Sequence, residues 1–340
     1  MKMRRLLGWL LVPAFGLLAY AGVALTDIPP VAAIIPPMTV PPGQPTPATP
    51  LATGTLVWRD YVGPSDTIML SISGLPAPAA GHIYTAWLAS TTHRLHVGTL
   101  QLSGGGAARL SYTSPTHDNL LGQYDRVYVT QEPVRPAATE EPHIVLVGAL
   151  PAQALRSIRQ ILVASDGTPG KRGYALGLRQ EMDKVVYHAQ ALRAAFTAGD
   201  FAAAKRQAEQ LVNIIEGAHG THFGDLNGDG ERQNPGDGFG LLQNDLQLGY
   251  IEGLREQAQH ALDAADATDE VKLHVGHVRV AGENVRVRLT GIRNHALHVV
   301  QASNMAATQP DLRTILALAE QAMQGMDMNL DELVGPIAGE

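Results

Sequence analysis

The residues with the clearest chemical potential lie between Asp225 and Asp237, where oxygen-bearing side chains alternate with small residues. Asp225, Asn227 and Asp229 occupy positions 1, 3 and 5 of this run, and glycine at position 6 permits a sharp backbone turn. A calcium ion takes about 6 to 8 oxygen ligands, and position 7 of such a loop, here Glu231, adds a main-chain carbonyl. The spacing therefore predicts a calcium site formed by Asp225, Asn227, Asp229, Glu231 and Asp237.

This run resembles the first half of an EF-hand or dockerin-type calcium loop, D-x-[DN]-x-[DN]-G. It departs from that pattern at position 12, which is Gly236, because the acid Asp237 comes one residue later. Either the loop carries a one-residue insertion around Asn234-Pro235, or other groups supply the last oxygens. A turn without metal is the alternative, since Asp, Asn and Gly are also the residues favoured in ordinary turns.

A similar run near the C-terminus predicts a second calcium site. It repeats the D-x-N-x-D spacing and is again followed by a proline and then an acid. It fits the pattern less well, because Glu332 replaces the glycine of position 6. The predicted ligands of this second site are Asp327, Asn329, Asp331, Leu333 and Glu340.

Histidine pairs indicate a different kind of metal chemistry. Three pairs are spaced three residues apart, close enough on a helix to share a metal ion, and they are His219/His222, His274/His277 and His295/His298. The last two pairs cannot form one site, since a helix separates His277 from His295 by about 27 Å. The four later histidines flank an apolar stripe, which favours structural or surface roles. His188 and His219/His222 remain the candidates for a transition metal or a noncovalent haem.

The composition limits the classes of function. A chain of 340 residues with 45% hydrophobic residues can bury the cores of two domains. A formal net charge of -7 and the lack of basic clusters beyond the N-terminus give no indication of nucleic-acid binding. The chain has no cysteine, which excludes disulfides, thiolate nucleophiles and zinc–thiolate sites. No nucleophile elbow of the form G-x-S-x-G occurs, so the sequence gives no positive evidence for an enzyme.

Residues 1–27 predict a membrane anchor or a signal peptide. The basic start Met1–Arg5 precedes Leu6–Leu25, which carries no charge and has about the 20 residues that a helix needs to cross a bilayer. We expect a single-pass protein of the plasma membrane with the bulk of the chain extracytoplasmic. The alternative is secretion after cleavage near Ala21. Residues 28–53 are rich in proline and predict a semi-rigid linker.

Residues 54–150 predict a domain built from β-strands. Seven short segments rich in β-branched and aromatic residues alternate with Gly and Pro, which is typical of a sandwich. The segments are Thr55–Trp58, Thr67–Ile72, Ile83–Leu88, Leu95–Val97, Ala108–Tyr112, Arg126–Thr130 and Ile144–Val147.

Several short motifs of this domain resemble the extracytoplasmic domain of anti-sigma-K factors. They are Gly74-Leu-Pro76, Tyr84-Thr-Ala-Trp87-Leu88, Gly98, Val127-Tyr-Val-Thr130-Gln-Glu132-Pro133 and the ending Pro142-x-x-Val145-Leu-Val-Gly148. The resemblance covers nearly all of the domain and implies a membrane-proximal β-sandwich of a regulatory or sensory kind. Members of that family bind their sigma factor through a cytoplasmic domain ahead of the membrane helix. Only Met1–Arg5 stand there in this chain, so no sigma-factor-binding cytoplasmic domain is expected.

Residues 151–340 change to the apolar periodicity of α-helices. Tyr174–Ala198 and Phe201–Glu216 each carry an apolar stripe, and Gly199-Asp200 separates them, which predicts an antiparallel helical hairpin. Residues 278–289 alternate strictly enough for a β-hairpin, but the helical surroundings favour one helix from Asp269 to about Ser303. We predict a bundle of four to five helices with the metal loops at helix ends.

Together these features predict a multidomain chain. An all-β sandwich precedes an all-α helical bundle with calcium-binding loops, behind an N-terminal membrane or signal segment. The predicted function is that of an exported, membrane-anchored calcium-binding protein with a sensory, regulatory or structural role at the cell surface. Its partner would be an unidentified protein or surface ligand. The alternative is a helical-bundle redox protein that binds a metal or haem through its histidines.

Overall fold

The computed structural model describes residues 52–134 and 143–326, together with 328, 335 and 337–339. Within these residues the chain forms two antiparallel sheets and seven α-helices, which confirms the predicted mixture of antiparallel sheets and helices. Three predicted features lie outside the described residues: the apolar segment Leu6–Leu25, nearly all of the proline-rich linker, and the second calcium run with Asp327, Asn329, Asp331, Leu333 and Glu340.

All seven predicted strand segments form strands in the structure. Their bounds are β1 (Thr53–Arg59), β2 (Thr67–Ser73), β3 (His82–Ala89), β4 (Arg94–Leu100), β5 (Ala108–Thr113), β6 (Arg126–Pro133) and β7 (His143–Ala149). One sheet has the order β1-β2-β5 and the other the order β4-β3-β6-β7. The side chains of Leu56 and Leu70 from the first sheet and of Leu88 and Val129 from the second belong to the same buried core.

Seven α-helices occur in the described residues, six of them after Leu150. They are α1 (Leu120–Gln123), α2 (Ala152–Leu162), α3 (Tyr174–Thr197), α4 (Phe201–Glu216), α5 (Gly249–Asp263), α6 (Asp269–Gln301) and α7 (Gln309–Gln324). The predicted number of four to five helices was therefore too low, and the short α1 was missed. None of the helices in the described residues is both long enough and apolar enough to span a bilayer.

The ambiguous stretch 278–289 is helical and lies within α6, a helix of 33 residues. The hydroxyl of Thr268 caps this helix by accepting from the amide of Val271, and two acids occupy its first turn. Its valines alternate with arginines, yet Val271, Val275 and Val278 are buried at the spacing of one helical face. The preference for a helix over a hairpin is confirmed.

Arg159 of α2 joins the helices to the strand-rich part of the chain. Its Nε donates to the carbonyl of Leu121 at 2.9 Å, and a terminal nitrogen donates to the carbonyl of Tyr124 at 3.1 Å. Burial lowers the pKa of this guanidinium below its usual range. The two carbonyls belong to α1 and the residue after it, and they compensate the loss of water around this half-buried charge.

Asp66 fixes the turn between β1 and β2. Its side chain is fully buried, and its oxygens accept from the amides of Tyr61, Val62 and Gly63 at 2.8 to 3.1 Å and lie 2.9 Å from Nδ1 of His117. Burial acts to raise the pKa of this carboxyl, but the combined hydrogen bonds outweigh it and lower the pKa to about 2. The turn therefore depends on an ionised carboxylate.

We predict that Asp66→Asn lowers the free energy of unfolding at neutral pH by about 1–3 kcal/mol, because charge-assisted bonds to backbone amides are lost. Since the folded-state pKa is depressed, the contribution of Asp66 is fully present above the usual pKa of an aspartate and is lost as the pH falls towards 2. Urea unfolding between pH 2 and 7 measures this. A wild type and variant that differ by the same amount at every pH would contradict the assignment.

Candidate functional site

The predicted calcium run lies in a long irregular connection, residues 217–248, between α4 and α5. Segments of this length without helix or strand are uncommon in compact proteins and often carry function. Their backbone amides and carbonyls need hydrogen-bond partners other than those that a helix or a sheet would supply. The partners found here are side chains of the surrounding helices, side chains of the connection itself and other backbone groups.

Two fully buried polar residues of α4 hold this connection in place. The carboxylate of Glu209 accepts from the amides of Leu226, Asn227 and Gln233 at 2.9 to 3.1 Å. One turn later, Asn213 donates to the carbonyls of Gly224 and Gln233 and accepts from the amide of Gly224. Both ends of the run 225–231 are thereby fixed to the same helix.

The run itself folds into the tight turn that the sequence pattern predicts. The two oxygens of Asp225 accept from the amides of Gly228 and Gly230 at 2.8 and 2.9 Å. Both glycines have positive φ, +76° and +89°, a conformation that side chains disfavour. The side chain of Asp225, the first acid of the motif, therefore stabilises the turn through hydrogen bonds to its backbone.

The polar groups at positions 3, 5 and 7 follow one another along the same turn. Asn227 Oδ1 accepts from the amide of Asp229, and Asp229 Oδ1 accepts from the amide of Glu231. Nδ2 of Asn227 also lies 3.1 Å from Oδ2 of Asp229. Asp225, Asp229 and Glu231 are exposed to solvent. The structure thus places four of the five predicted ligands on one exposed turn, and each of its three anionic side chains is accessible to a cation.

The fifth predicted ligand, Asp237, makes its contacts elsewhere. Its Oδ2 accepts from the hydroxyl of Tyr250 on α5 at 2.6 Å, and its amide donates to Glu181 on α3. Burial and the contact with Asp237 raise the pKa of Tyr250, and burial raises the pKa of Glu181. Asp237 therefore anchors the exit of the connection between α3 and α5, while Asp225, Asn227, Asp229 and Glu231 form the candidate cation loop.

The entrance of the connection is tied to α6. Glu216, the last residue of α4, is buried, and its Oε1 lies 3.0 Å from a guanidinium nitrogen of Arg293 and 3.3 Å from Nδ1 of His222. His219 and His222 are both exposed on the connection. His222 therefore contacts a carboxylate that also pairs with Arg293 of α6, the helix that carries further histidines.

His188 is buried on α3, and its Nδ1 lies 2.8 Å from the amide oxygen of Gln207 on α4. Burial lowers the pKa of this histidine. His188, His219 and His222 belong to no group of three or more histidine or acidic ligands within 4.8 Å in the part of the chain that the structure describes. The structure thus does not bring the earlier histidine candidates together.

A different histidine pair meets an acid that the sequence reasoning missed. His295 and His298 of α6 converge on Asp311 of α7, and the ligand atoms of all three lie within 4.8 Å of one another. In the described residues this is the only such group. The available signal was an acid in the first turn of the helix that follows the pair, because a short connection brings consecutive helix ends together.

Comparison with known proteins places no constraint on these sites: no family model, no curated protein and no solved structure matches the chain.

We predict that Asn213→Ala destabilises the protein by about 1–3 kcal/mol, because the variant leaves the part-buried amide and carbonyl of Gly224 without their partner. Urea unfolding followed by circular dichroism measures the change. Asn294→Ala provides the matched control, since Asn294 also lies in a helix but is exposed, and its effect should stay within about 0.5 kcal/mol. Equal effects of the two substitutions would show that Asn213 does not support the connection.

Proposed function

We propose that this chain is an exported calcium-binding protein in which Asp225, Asn227, Asp229 and the main-chain carbonyl of Glu231 bind a calcium ion. The observation that carries the proposal is the folded turn held by Asp225, with exposed carboxylates at positions 1 and 5 and an amide oxygen at position 3. Carboxylate, amide and carbonyl oxygens are the ligands that calcium prefers. Water would complete the coordination where Asp237 does not reach.

The structural setting supports a role for the ion in stability. Glu209 is fully buried directly beneath the run and bonds to its backbone. Together with Asp225, Asp229 and Glu231 it gives this region several negative charges that a cation would neutralise. Binding to the folded loop alone would stabilise the protein, since any ligand selective for the native state does so.

The proposed location suits a weak site. The uncharged segment Leu6–Leu25 behind a basic start supports export, and free calcium outside the cytoplasm is usually higher than inside. Calcium loops of extracellular modules bind with dissociation constants of about 10⁻⁴ to 10⁻³ M. A loop with few protein ligands would therefore be occupied at the cell surface.

The strand-rich part of the chain supports a sensory or regulatory setting for this site. Its motifs resemble the extracytoplasmic domain of anti-sigma-K factors, and we propose a β-sandwich that lies near the membrane and contacts a protein or surface ligand. The helical part, joined to it through Arg159, would carry the calcium-dependent element. The ion is then a structural or sensory component rather than a catalytic one.

We predict that 10 mM calcium stabilises the full-length protein by about 1.4 to 2.7 kcal/mol, the linkage value for the dissociation constants above. Asp225→Asn combined with Asp229→Asn should abolish this gain, because the loop loses two anionic ligands and one of the two acceptors through which Asp225 holds the turn. Calorimetric titration and thermal unfolding measure binding and stabilisation. The absorption spectrum of the same sample tests the redox alternative, since a Soret band would indicate haem.

A matched control removes two exposed acids outside the loop. Asp166 and Asp183 have side chains that are 90% and 57% exposed and each pairs with one basic residue. Asp166→Asn with Asp183→Asn should leave calcium binding unchanged, although it removes the same charge. If both double variants respond to calcium like the wild type, the run is only a turn.

The proposed location has its own test. We expect the protein in the membrane fraction after cell lysis, resistant to extraction by high salt and released by detergent. A mature form that begins near Gly22 in the medium would show that the segment is a cleaved signal peptide, and protein in the soluble cytoplasmic fraction would exclude export.

A further inference from the structure

The structure assigns a second metal site to His295, His298 and Asp311, with the chemistry of a borderline divalent transition-metal ion such as Zn²⁺. This site uses none of the calcium loop residues and does not depend on the calcium proposal. Imidazole and carboxylate are suitable ligands for such ions, whereas calcium prefers oxygen ligands alone.

The geometry of the three side chains fits a shared ion. Nδ1 of His295 lies 2.6 Å from Oδ1 of Asp311, and Nδ1 of His298 lies 3.4 Å from the same oxygen. In a tetrahedral zinc site, ligand atoms at about 2.0 to 2.2 Å from the metal are roughly 3.3 to 3.6 Å apart. The distance between His298 and Asp311 already has this value. The distance between His295 and Asp311 would lengthen when a metal ion replaces their hydrogen bond.

The helices supply ligands from rigid positions. His295 and His298 are three residues apart near the end of α6, and Asp311 lies in the first turn of α7, which packs against α6. The ligands are thus placed by secondary structure before any ion arrives.

The nearest basic residue of α6 does not occupy the site. Arg293 lies two residues before His295, but its guanidinium donates to Glu216 and Asn294. Among the described residues Asp311 pairs with the two imidazoles and with no lysine or arginine. The carboxylate is therefore available to balance the charge of a metal ion.

The site leaves part of the coordination sphere open. The side chain of Asp311 is only 16% exposed, that of His295 is 34% exposed and that of His298 is 65% exposed. Three protein ligands on one side and solvent on the other leave a fourth position for water or for a ligand from another molecule. Such open zinc sites are typical of Lewis-acid centres and of ions that a second protein completes, in contrast to closed structural sites.

The test titrates Zn²⁺, and Co²⁺ as a coloured substitute, into full-length protein in detergent after treatment with a chelator and without a histidine tag. We expect one zinc ion per chain and visible d–d absorption of bound cobalt. His298→Gln and Asp311→Asn should each weaken zinc binding by about tenfold or more, since even outer-shell partners contribute about 10- to 100-fold. His298 is largely exposed, so its replacement leaves the fold intact.

The matched control is His277→Gln, the second member of the other histidine pair on the same helix. The rings of His274 and His277 are 5.7 Å apart, but this pair belongs to no ligand group of three in the described chain. The variant should bind zinc and cobalt like the wild type. Wild-type protein that binds no zinc, or equal affinities of the wild type and His298→Gln, would show that Asp311 forms only a hydrogen-bonded link between α6 and α7.

Discussion

The helical part of this protein depends on two polar side chains that are buried where apolar ones would be expected. Glu209 and Asn213 face the irregular connection between α4 and α5 and supply the hydrogen-bond partners that its backbone lacks. The connection buries the side chains of Phe239, Leu241 and Leu242 near its exit, whereas the run 225–231 buries none. The run 225–231 is therefore anchored by α4 at both ends, and its own side-chain hydrogen bonds complete the turn.

The calcium-loop motif and the observed fold agree only in part, because local hydrogen bonds hold the first half of the motif and distant helices hold the second. The spacing of Asp225, Asn227 and Asp229 predicts a tight turn, and local hydrogen bonds form it as expected. Asp237 lies several residues beyond the turn, so contacts with distant helices determine its position. Tyr250 and Glu181 draw it towards α3 and α5, away from a standard calcium geometry. Local pattern governs the first half of the motif, and tertiary packing governs the second.

The same division applies to the rest of the chain. Strand and helix positions could be predicted, because alternation and apolar stripes such as that of α3 reflect which side of each element is buried. The stretch 278–289 was ambiguous, since its valines satisfy both periods over a short window. The buried roles of Glu209, Asn213 and Asp66 could not be predicted, because a polar residue in an amphipathic segment has the same sequence signature whether it meets water or a backbone amide.

The histidines show most clearly what sequence patterns cannot predict. A helical wheel places His295 and His298 beside the apolar stripe of α6, and from that view they belong to the surface. The wheel contains no information about the neighbouring helix, and the acid that changes their chemistry comes from α7. Two histidines on one helix can be predicted from their spacing in the sequence. A third ligand that comes from another helix can be identified only once the fold is known.

Arg159 couples the helical part of the chain to the strand-rich part. Its half-buried guanidinium reaches from α2 to the carbonyls of Leu121 and Tyr124, so separating α2 from α1 would break both hydrogen bonds at once. Such a contact resists gradual hinge motion, since a slightly opened joint already loses both bonds. A displacement of the strand-rich part is accordingly expected to carry the helices with it rather than to be absorbed at the junction.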